Sequence, residues 1–338
     1  MAIMKFGKTL VIQNLQGIGD TMWFIRHIHA IAEQSKSKKV SVLTRPRSMA
    51  DKILAADPAI DNILWLDVKK GTHDGFFGTV RLANLIRKHK FDTVWVLHSR
   101  SLRYVLACRL AGVKNIIGPG HGLQKYLITN KKFLSESEQS DHPIKRAGYL
   151  LKSQGMKFKE EVSPCIVSAA TKAFVAKEFG KYPHPWIALG ISSSEAHKKW
   201  LWKNYSDLGG RLRAETEGTI FILGGASETK EAQLIYDEMF MKGHDPVQAT
   251  NLTIQQSLAL IQQCNFIVGN DTGILHAAPM VGSHGLVLLG KSQVPIHHYA
   301  EVEGLRLAES DEIESPPNNI QDIPVSSVFQ KLKSLHWV

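Results

Sequence analysis

The sequence predicts an α/β protein made of two Rossmann-like halves that face each other, each with a parallel sheet covered by helices. The chain has 338 residues, which is more than one hydrophobic core usually serves. Short apolar runs, often β-branched, alternate with amphipathic helical stretches. The alternation stops at a polar stretch and then begins again, which indicates two copies of one architecture.

The strand-like runs come in two sets, separated by the polar stretch Ser135–Asp141 and the helix-like stretch Ile144–Gln154. The first set predicts strands at Thr9–Asn14, Val40–Thr44, Asn62–Leu66 and Thr93–His98. The second set predicts strands at Trp186–Ile191, Thr219–Leu223, Phe266–Gly269 and Leu286–Leu289. The first helix is expected from about Thr21 to Glu33.

We therefore expect an N-terminal domain over residues 1–170 and a C-terminal domain over residues 171–338, with the final helix a candidate for packing back on the first domain. Ligands of such sheets bind beyond the carboxyl ends of the strands. The loops at those ends are accordingly the places to look for chemistry.

Composition narrows the class of protein further. The chain is 43% hydrophobic and 21% charged, as in ordinary globular proteins, and shows neither a signal-like nor a membrane-length apolar run, so a cytoplasmic protein is expected. Its cysteines lack the close spacing of a zinc site, and their odd number cannot pair fully; they are Cys108, Cys165 and Cys264. They are predicted to be reduced core thiols.

Charge is distributed unevenly along the chain. The net charge is +10, but residues 1–170 hold 27 Lys and Arg against 13 Asp and Glu, whereas residues 171–338 hold 14 against 18. A one-sided surplus of this kind indicates an anionic partner for the first half: nucleic acid, a phosphorylated substrate or an acidic membrane face. A solvated surface explains it equally well.

The sharpest local feature is the segment Phe266–Ala278, which combines a buried strand, a polar turn and a helix start. Asp271 could cap that helix, and the backbone N–H groups of Thr272 and Gly273 at its positive end would form a seat for an anion such as pyrophosphate. His276 follows one turn beyond Thr272, on the same face. The alternative is an ordinary capped helix with a packed histidine.

Two further strand ends of the second half carry polar side chains. The loop 192–200 includes Ser193, Lys198 and Lys199, which could hold phosphates and offset the charge of a departing group, although lysines on a loop often face solvent. After the next strand, Glu228 could accept hydrogen bonds from ribose hydroxyls, or could only add negative charge to a first helical turn.

In the first half, the loop Gln13–Thr21 opens the first helix with one glycine fewer than the dinucleotide fingerprint, so a bound NAD is not expected. Asp20 is a natural N-cap; at the predicted mouth of the cleft its carboxylate could instead accept the proton of an attacking hydroxyl. Four basic residues near the same end of the sheet could grip an anionic acceptor: Lys69, Lys70, Arg100 and Arg103.

These motifs resemble glycosyltransferase family 9, the ADP-heptose:lipopolysaccharide heptosyltransferases, which have the GT-B fold, over nearly the whole chain. The family's Gly-Asp is present as Gly19-Asp20, and its Asp-Thr-Gly-x-x-His is intact from Asp271 to His276. The family's Lys-x-Trp-Pro corresponds to residues 198–201, where Leu201 replaces the proline.

The resemblance implies a role for each matched residue. Asp20 would be the catalytic base, and Glu228 would hold the donor ribose, with Glu231 as a rival because the alignment needs a gap there. The remaining donor-binding positions would be Ser193 and Lys198 at the phosphates, and Asp271, Thr272, Gly273 and His276 at the sugar and diphosphate.

The resemblance also implies an inverting, metal-independent transfer of heptose or a related sugar from a nucleotide-sugar donor such as ADP-heptose to a lipopolysaccharide inner-core or other anionic glycan acceptor. The acceptor would bind the N-terminal domain and the donor the C-terminal domain. No cofactor and no nucleic acid are expected. A cytoplasmic protein in peripheral contact with the inner membrane face is the expected setting.

Two other functions remain open from the residues alone. A nucleotide-sugar epimerase or hydrolase can use the same pair of Rossmann-like halves. A nucleic-acid-binding module would use the basic half, but the aromatic residues there are not interleaved with the basic ones as a stacking platform requires.

Overall fold

The structure, a computed structural model, describes residues 6–69, 72–158, 163–193, 196–289, 302–306 and 320–338. It divides the chain into two compact units, Met1–Ser163 and Pro164–Val338. Each unit contains one parallel sheet with helices, so the predicted α/β class with Rossmann-like sheets is confirmed. No helix in these ranges is both long and apolar enough to cross a bilayer.

The first unit is a five-stranded parallel sheet in the order β3-β2-β1-β4-β5. Its elements are β1 (Thr9–Ile12), α1 (Ile18–Gln34), β2 (Val40–Thr44), α2 (Ala50–Ile53), β3 (Ile60–Trp65), α3 (Gly75–His89), β4 (Thr93–Val96), α4 (Leu102–Leu110), β5 (Asn115–Ile117), α5 (Glu136–Ser140) and α6 (Pro143–Ser153).

Successive side chains of the central strand β1 point to opposite faces of the sheet and belong to two separate cores. Leu10 and Ile12 face the core that contains residues of α3 and α4, whereas Val11 faces the core that contains residues of α1 and α6. Both faces of the sheet are therefore covered, which explains why its strands read as continuous apolar runs rather than alternating ones. Each fully buried aliphatic side chain contributes about 1.5–3 kcal/mol to the free energy of unfolding.

The second unit is a six-stranded parallel sheet in the order β11-β10-β9-β6-β7-β8, the doubly wound order of dinucleotide-binding folds. Its elements are α7 (Ala169–Phe179), β6 (Trp186–Gly190), α8 (Trp202–Thr216), β7 (Thr219–Leu223), α9 (Thr229–Met241), β8 (Val247–Ala249), α10 (Ile254–Gln263), β9 (Phe266–Asn270), β10 (His284–Leu289), β11 (Val302–Arg306) and α11 (Val325–Ser334).

The final helix α11 packs inside the second unit, against α8. Val328 and Leu332 lie in the same core as strands β6, β7, β9 and β10. The indole N–H of Trp200 donates to the carbonyl of Ile323 at 2.9 Å, which fixes the segment just before the helix. The apolar face of α11 thus packs on α8 within the second unit.

The three cysteines are buried and none forms a disulfide. Burial raises the pKa of Cys108 to about 12 and raises the pKa of Cys264 as well. At neutral pH the thiols of Cys108 and Cys264 are protonated and act as small apolar side chains of the core.

Candidate functional site

The carboxyl edge of the second sheet brings together the loops that the sequence singled out. Strands β6 and β9 are neighbours in the sheet. The chain continues from β6 to β7 on one side of this pair and from β9 to β10 on the other. The loop after β6 leads to Lys198, and the loop after β9 holds the segment from Asp271 to His276. This is the switch point of the sheet, the place where doubly wound folds bind their ligands.

Asn270, the last residue of β9, ties these two loops together from a fully buried position. Its Oδ1 accepts hydrogen bonds from the backbone N–H of Trp200 at 2.9 Å and the hydroxyl of Tyr205 at 3.0 Å. Its Nδ2 donates to the carbonyls of Ile191 at 2.9 Å and Ser192 at 3.2 Å. The whole amide is thus used to hold the loop after β6 beside β9.

We expect Asn270→Ala to lower the free energy of unfolding by about 3 kcal/mol or more, because two buried donors and two carbonyls lose their partner. Urea denaturation would measure this. Gln263→Ala, which removes an exposed amide at the end of α10, is the matched control and should change stability by less than about 0.5 kcal/mol. Equal stability of the two variants would show that Asn270 is not a structural bracket.

The turn after β9 differs from the predicted capped helix. Two short 3-10 turns follow, Leu275–Ala277 and Pro279–Val281, in place of an α-helix, and Oδ1 of Asp271 lies 2.8 Å from Nε2 of His276. Pro279 lacks the N–H that a continuing α-helix would need. The expectation of an α-helix dipole at this turn is therefore wrong, and the carboxylate instead orients the buried imidazole.

Thr272 and Gly273 form the tip of this turn. The carbonyl of Thr272 accepts the backbone N–H groups of Leu275 at 3.1 Å and His276 at 3.3 Å, which closes the turn. The hydroxyl oxygen of Thr272 is buried and has no hydrogen-bond partner among the described residues. A buried hydroxyl without a partner is uncommon and is a reason to look for a ligand at this turn.

Glu228 joins the loop after β7 to the loop after β6. Its Oε2 accepts hydrogen bonds from the backbone N–H of Gly225 at 2.9 Å and the hydroxyl of Ser192 at 3.3 Å. Its Oε1 accepts from the hydroxyl of Ser227 at 2.7 Å. A carboxylate can accept about four hydrogen bonds, so this buried group retains capacity for another donor.

Lys198 and Lys199 have different surroundings, and Lys199 contacts Glu231, the alternative to Glu228 in the family alignment. Nζ of Lys199 lies 3.2 Å from Oε2 of Glu231, so these two side chains form an ion pair with each other. Lys198 is half-buried and ends the 3-10 turn Ala196–Lys198 between β6 and α8. Ser193 is half-buried in the same loop, closer to the strand. Both acids therefore contact the loop after β6, Glu228 through Ser192 and Glu231 through Lys199.

In the first unit, Asp20 lies at the third position of α1, not at the N-cap as expected; Gly17 is the N-cap residue. Oδ2 of Asp20 accepts the backbone N–H of Gly17 at 2.7 Å, so the carboxylate reaches back over the helix start. Burial raises the pKa of Asp20, and the backbone N–H groups of Gly17 and Gln16 only partly offset this effect. A raised pKa makes the ionised carboxylate a stronger base.

A cationic cluster, comprising Arg100, Arg146, His98 and His121, adjoins the loop after β4. Arg100 and Arg146 both donate to the carbonyl of Gln139, at 2.9 and 3.5 Å. Burial, and then Arg100, lowers the pKa of Arg146; burial, and then Arg146, lowers the pKa of His121. The same two causes, with a contribution from His142, lower the pKa of His98 to about 3.

The cluster contains buried polar atoms that are not satisfied. Nε2 of His98 and Nε of Arg146 are buried and have no hydrogen-bond partner in the described part of the chain. Two guanidinium groups directed at one carbonyl, with a neutral imidazole beside them, form a concentration of donors that suits an anion. Sequence reasoning found Arg100 but missed the other three members.

The other predicted acceptor residues are placed differently. Arg103 is held by the carboxylate of Asp74 at 2.6 Å and the hydroxyl of Tyr104 at 3.0 Å, so its charge is largely used inside the unit. Lys69 is exposed in the loop after β3. Lys70 lies outside the described residues. Within the ranges that the structure describes, no group of three or more His, Cys, Asp or Glu side chains is arranged to hold a metal ion.

Comparison with known proteins decides the family. The family model for glycosyltransferase family 9 (heptosyltransferase) matches residues 79–297. The chain belongs to glycosyltransferase family 9. It is 25% identical to lipopolysaccharide heptosyltransferase 2 of Salmonella typhimurium over 280 residues, which are 75% of this chain and 78% of the relative.

Solved structures of family 9 glycosyltransferases share the fold. A family 9 glycosyltransferase from Veillonella parvula has a TM-score of 0.79 at 16% identity, and covers 99% of this chain and 98% of its own. The E. coli ADP-heptose lps heptosyltransferase II has a TM-score of 0.72 at 18% identity, covering 97% and 98%. The expected GT-B type of fold is confirmed.

Membership makes this chain a glycosyltransferase, so an epimerase, a hydrolase and a nucleic-acid-binding module are no longer needed as explanations. The matched range includes the turn from Asp271 to His276 and the loop with Lys198, together with Arg100 and Arg146 of the cationic cluster. Asp20 precedes the matched range, so its role rests on its own geometry and on the Gly19-Asp20 motif.

Proposed function

We propose that this family 9 glycosyltransferase transfers heptose, or a related sugar, from ADP-heptose to an anionic lipopolysaccharide inner-core acceptor, with inversion at the transferred carbon. The observation that carries the proposal is the single amide of Asn270, which holds the loop toward Lys198 against the turn that begins at Asp271. The relatives described as an ADP-heptose lps heptosyltransferase and a lipopolysaccharide heptosyltransferase support the choice of substrates.

On the donor side, the diphosphate would lie over the turn tip formed by Thr272 and Gly273, between that turn and the loop after β6. Lys198 would approach the phosphates with its ammonium group, and Ser193 would add a hydroxyl donor. His276, oriented by Asp271, would contact the donor's sugar and diphosphate.

The ribose would lie toward β7. Glu228 keeps a lone-pair site beyond its three hydrogen bonds, and a ribose hydroxyl is the kind of donor that it could accept. No cofactor enters this scheme. Charge on the leaving diphosphate is offset by Lys198 and by oriented donors, the role that preorganised dipoles and cations play in other transfer enzymes.

On the acceptor side, Asp20 would take the proton from the attacking hydroxyl. The oxygen of that hydroxyl forms a bond to the anomeric carbon while the bond from that carbon to the diphosphate oxygen breaks, and the leaving ADP carries away the electron pair. One displacement on one face of the sugar inverts the configuration. The raised pKa of Asp20 favours the proton transfer.

The cationic cluster would hold the acidic groups of the acceptor, with Lys69 adding a longer-range attraction. Arg103 would act mainly through its ion pair with Asp74, which positions the start of α4 next to Arg100. An inner-core acceptor carried on lipid A is membrane-borne, so the first unit would meet it at an anionic membrane face.

The test is product analysis with labelled ADP-heptose, with and without a truncated inner-core acceptor, in the presence of excess EDTA. We expect a labelled, elongated acceptor of inverted anomeric configuration, little free heptose when the acceptor is omitted, and the same rate after chelation. Release of free sugar or of an epimerised donor, with no elongated acceptor, would contradict the proposed transfer reaction. A rate abolished by EDTA and restored by magnesium or manganese would exclude the metal-independent scheme.

We expect Lys198→Ala to weaken ADP binding by about 1–3 kcal/mol, the scale of a charge-assisted hydrogen bond. Isothermal titration calorimetry would measure the change. Lys203→Ala is the matched control, because Lys203 is exposed on α8 with its ammonium over the ring of Trp202. If ADP binds both variants with wild-type affinity, the phosphate site lies elsewhere.

A further inference from the structure

Four large apolar side chains of the first unit stand in water at the carboxyl edge of the sheet. Phe76 and Phe77 begin α3 and are 78% and 76% exposed. Leu123 and Tyr126 belong to the 3-10 turn Gly122–Tyr126, which follows β5, and are 65% and 71% exposed. We refer to these four residues as the apolar rim.

A continuous set of contacts places both parts of the rim along one edge. Asp74, just before α3, binds Arg103 in the first turn of α4 at 2.6 Å. Gln124, between Leu123 and Tyr126, donates from Nε2 to the carbonyls of Ser99 and Ser101 at the start of α4, both at 2.9 Å. The start of α4 therefore joins the two parts, and the rim extends on either side of it.

Positive charge accompanies the rim. Lys125 lies within it, with its ammonium 5.2 Å from the ring centroid of Tyr126. Arg81 is exposed one helical turn after Phe77, on the same face of α3, and Lys69 is exposed in the loop that precedes the helix. Two acids lie in the neighbourhood: Asp74 is paired with Arg103 at 2.6 Å, and Asp67 accepts the backbone N–H of Lys69 at 3.0 Å. The surrounding unit carries about twice as many basic as acidic residues.

We propose that the apolar rim inserts into the headgroup region of an anionic lipid bilayer and docks the first unit on the membrane surface. Aromatic and aliphatic side chains next to lysine and arginine form the combination that binds such interfaces, since the apolar parts leave water while the cations meet acidic headgroups. Charge complementarity favours an acidic lipid surface over a protein partner, because the exposed basic side chains are long and separate, and one of the two nearby acids, Asp74, is already paired with Arg103.

The rim lies at the same edge of the sheet as the cationic cluster, because Gln124 and Arg100 both adjoin the loop after β4. Docking through the rim would bring that cluster to the depth of the lipid headgroups. Docking would serve the transfer to a membrane-borne acceptor that we propose above, and its biological purpose rests on that proposed function. Vesicle binding itself is measured without donor or acceptor.

The experiment is flotation of the full chain with vesicles of phosphatidylcholine containing about a third phosphatidylglycerol, against pure phosphatidylcholine vesicles. We expect binding to the anionic vesicles that weakens with salt. The double substitution Phe76→Ser and Phe77→Ser should lower the partition coefficient about tenfold or more. Lys125→Glu should lower it by a smaller factor and reduce its dependence on salt.

The matched control is Phe240→Ser with Met241→Ser, an adjacent apolar pair at the end of α9 that is 58% and 85% exposed. It should change the partition coefficient by less than about twofold. Thermal melting of each variant checks that the fold is kept, and transfer to a water-soluble acceptor analogue should be unchanged by the rim substitutions.

Three results would overturn the inference. The first is equally poor binding of the wild-type chain to anionic and neutral vesicles, and the second is a loss of binding in the control pair as large as that in the rim pair. Self-association that depends on Phe76 and Phe77 without vesicle binding would show that a second copy covers the rim. If vesicle binding behaves as expected but no transfer occurs, the docking surface stands and the proposed function fails.

Discussion

Asp20→Asn should reduce the turnover number about 100-fold or more, the usual loss when a general base is removed, while ADP binding and the fold remain intact. The asparagine amide is close in shape to the carboxylate, and its oxygen can still accept the backbone N–H of Gly17 that now lies 2.7 Å from Oδ2. The change removes the proton acceptor and little else. Steady-state kinetics with saturating donor and acceptor would measure it.

The pH dependence provides a second measurement of the same group. Burial raises the pKa of Asp20, and the base must be ionised to work, so turnover should fall as the pH drops through this raised pKa, at a higher pH than for an ordinary aspartate. The acidic limb of the profile should be absent from the residual activity of Asp20→Asn.

As the pH rises through the pKa of Asp20, the contribution of this group to stability should fall while turnover rises. Because the folded state raises the pKa of Asp20, this group stabilises the fold at pH values below the ordinary carboxyl pKa, and that contribution is lost as the pH rises through the folded-state pKa. At neutral pH, Asp20→Asn should therefore melt no lower than the wild type.

The control for turnover is Asp51→Asn, which changes an exposed acid in the first turn of α2 and should leave turnover unchanged. Wild-type turnover in Asp20→Asn would show that Asp20 only contacts the start of the helix and is not the base.

The sequence was a good guide to the fold because both sheets are parallel and covered on both faces. Strands such as Val40–Thr44 and Thr219–Leu223 were predicted with their observed bounds, since continuous apolar runs of that length have few other solutions. The strands that were missed, β5, β8 and β11, have only three to five residues and lie at the edges of the sheets. Edge strands bury less, so their sequences carry a weaker pattern.

The site was predictable by position and less so by contact. The carboxyl-edge rule placed Lys198 and the turn from Asp271 correctly, because both follow neighbouring strands of one parallel sheet. It could not show that Asp271 contacts His276, because the chain forms two short 3-10 turns after β9 where the pattern predicted an α-helix. Asn270 was overlooked because a polar residue at the end of an apolar run carries no signal of how many partners it has.

The cationic cluster illustrates a different limit. Arg146 lies within an amphipathic helix pattern and His98 at the end of a strand, 48 positions apart, so nothing local connects them. The carbonyl of Gln139, in α5, receives Arg100 from the loop after β4 and Arg146 from α6. Helix α6 contacts both α5 and α1, and such long-range packing is not visible in the periodicity of any one segment.

The double substitution Arg100→Gln and Arg146→Gln should lower kcat/KM for the acceptor about 100-fold or more, because each charge-assisted hydrogen bond to an acidic group contributes about 1.5–3 kcal/mol. The effect should appear mainly in the acceptor KM, with ADP affinity unchanged, since the residues that we propose to bind the donor all lie in the second unit. Initial rates over a matrix of donor and acceptor concentrations would separate the two constants.

The matched control is Arg87→Gln with Arg109→Gln, which also removes two positive charges from the first unit. These arginines lie in the last turns of α3 and α4, away from the carboxyl edge of the sheet. Long-range attraction depends on total charge and is screened by salt, so the acceptor KM of the wild type should rise with ionic strength. The control variant should show only the small rise in acceptor KM that the loss of two charges causes through this attraction. A local site predicts a large difference between the two double variants at every salt concentration. If both lose acceptor affinity equally, attraction by net charge alone explains the basic half; if Arg100→Gln with Arg146→Gln instead weakens ADP binding, the cationic cluster belongs to the donor.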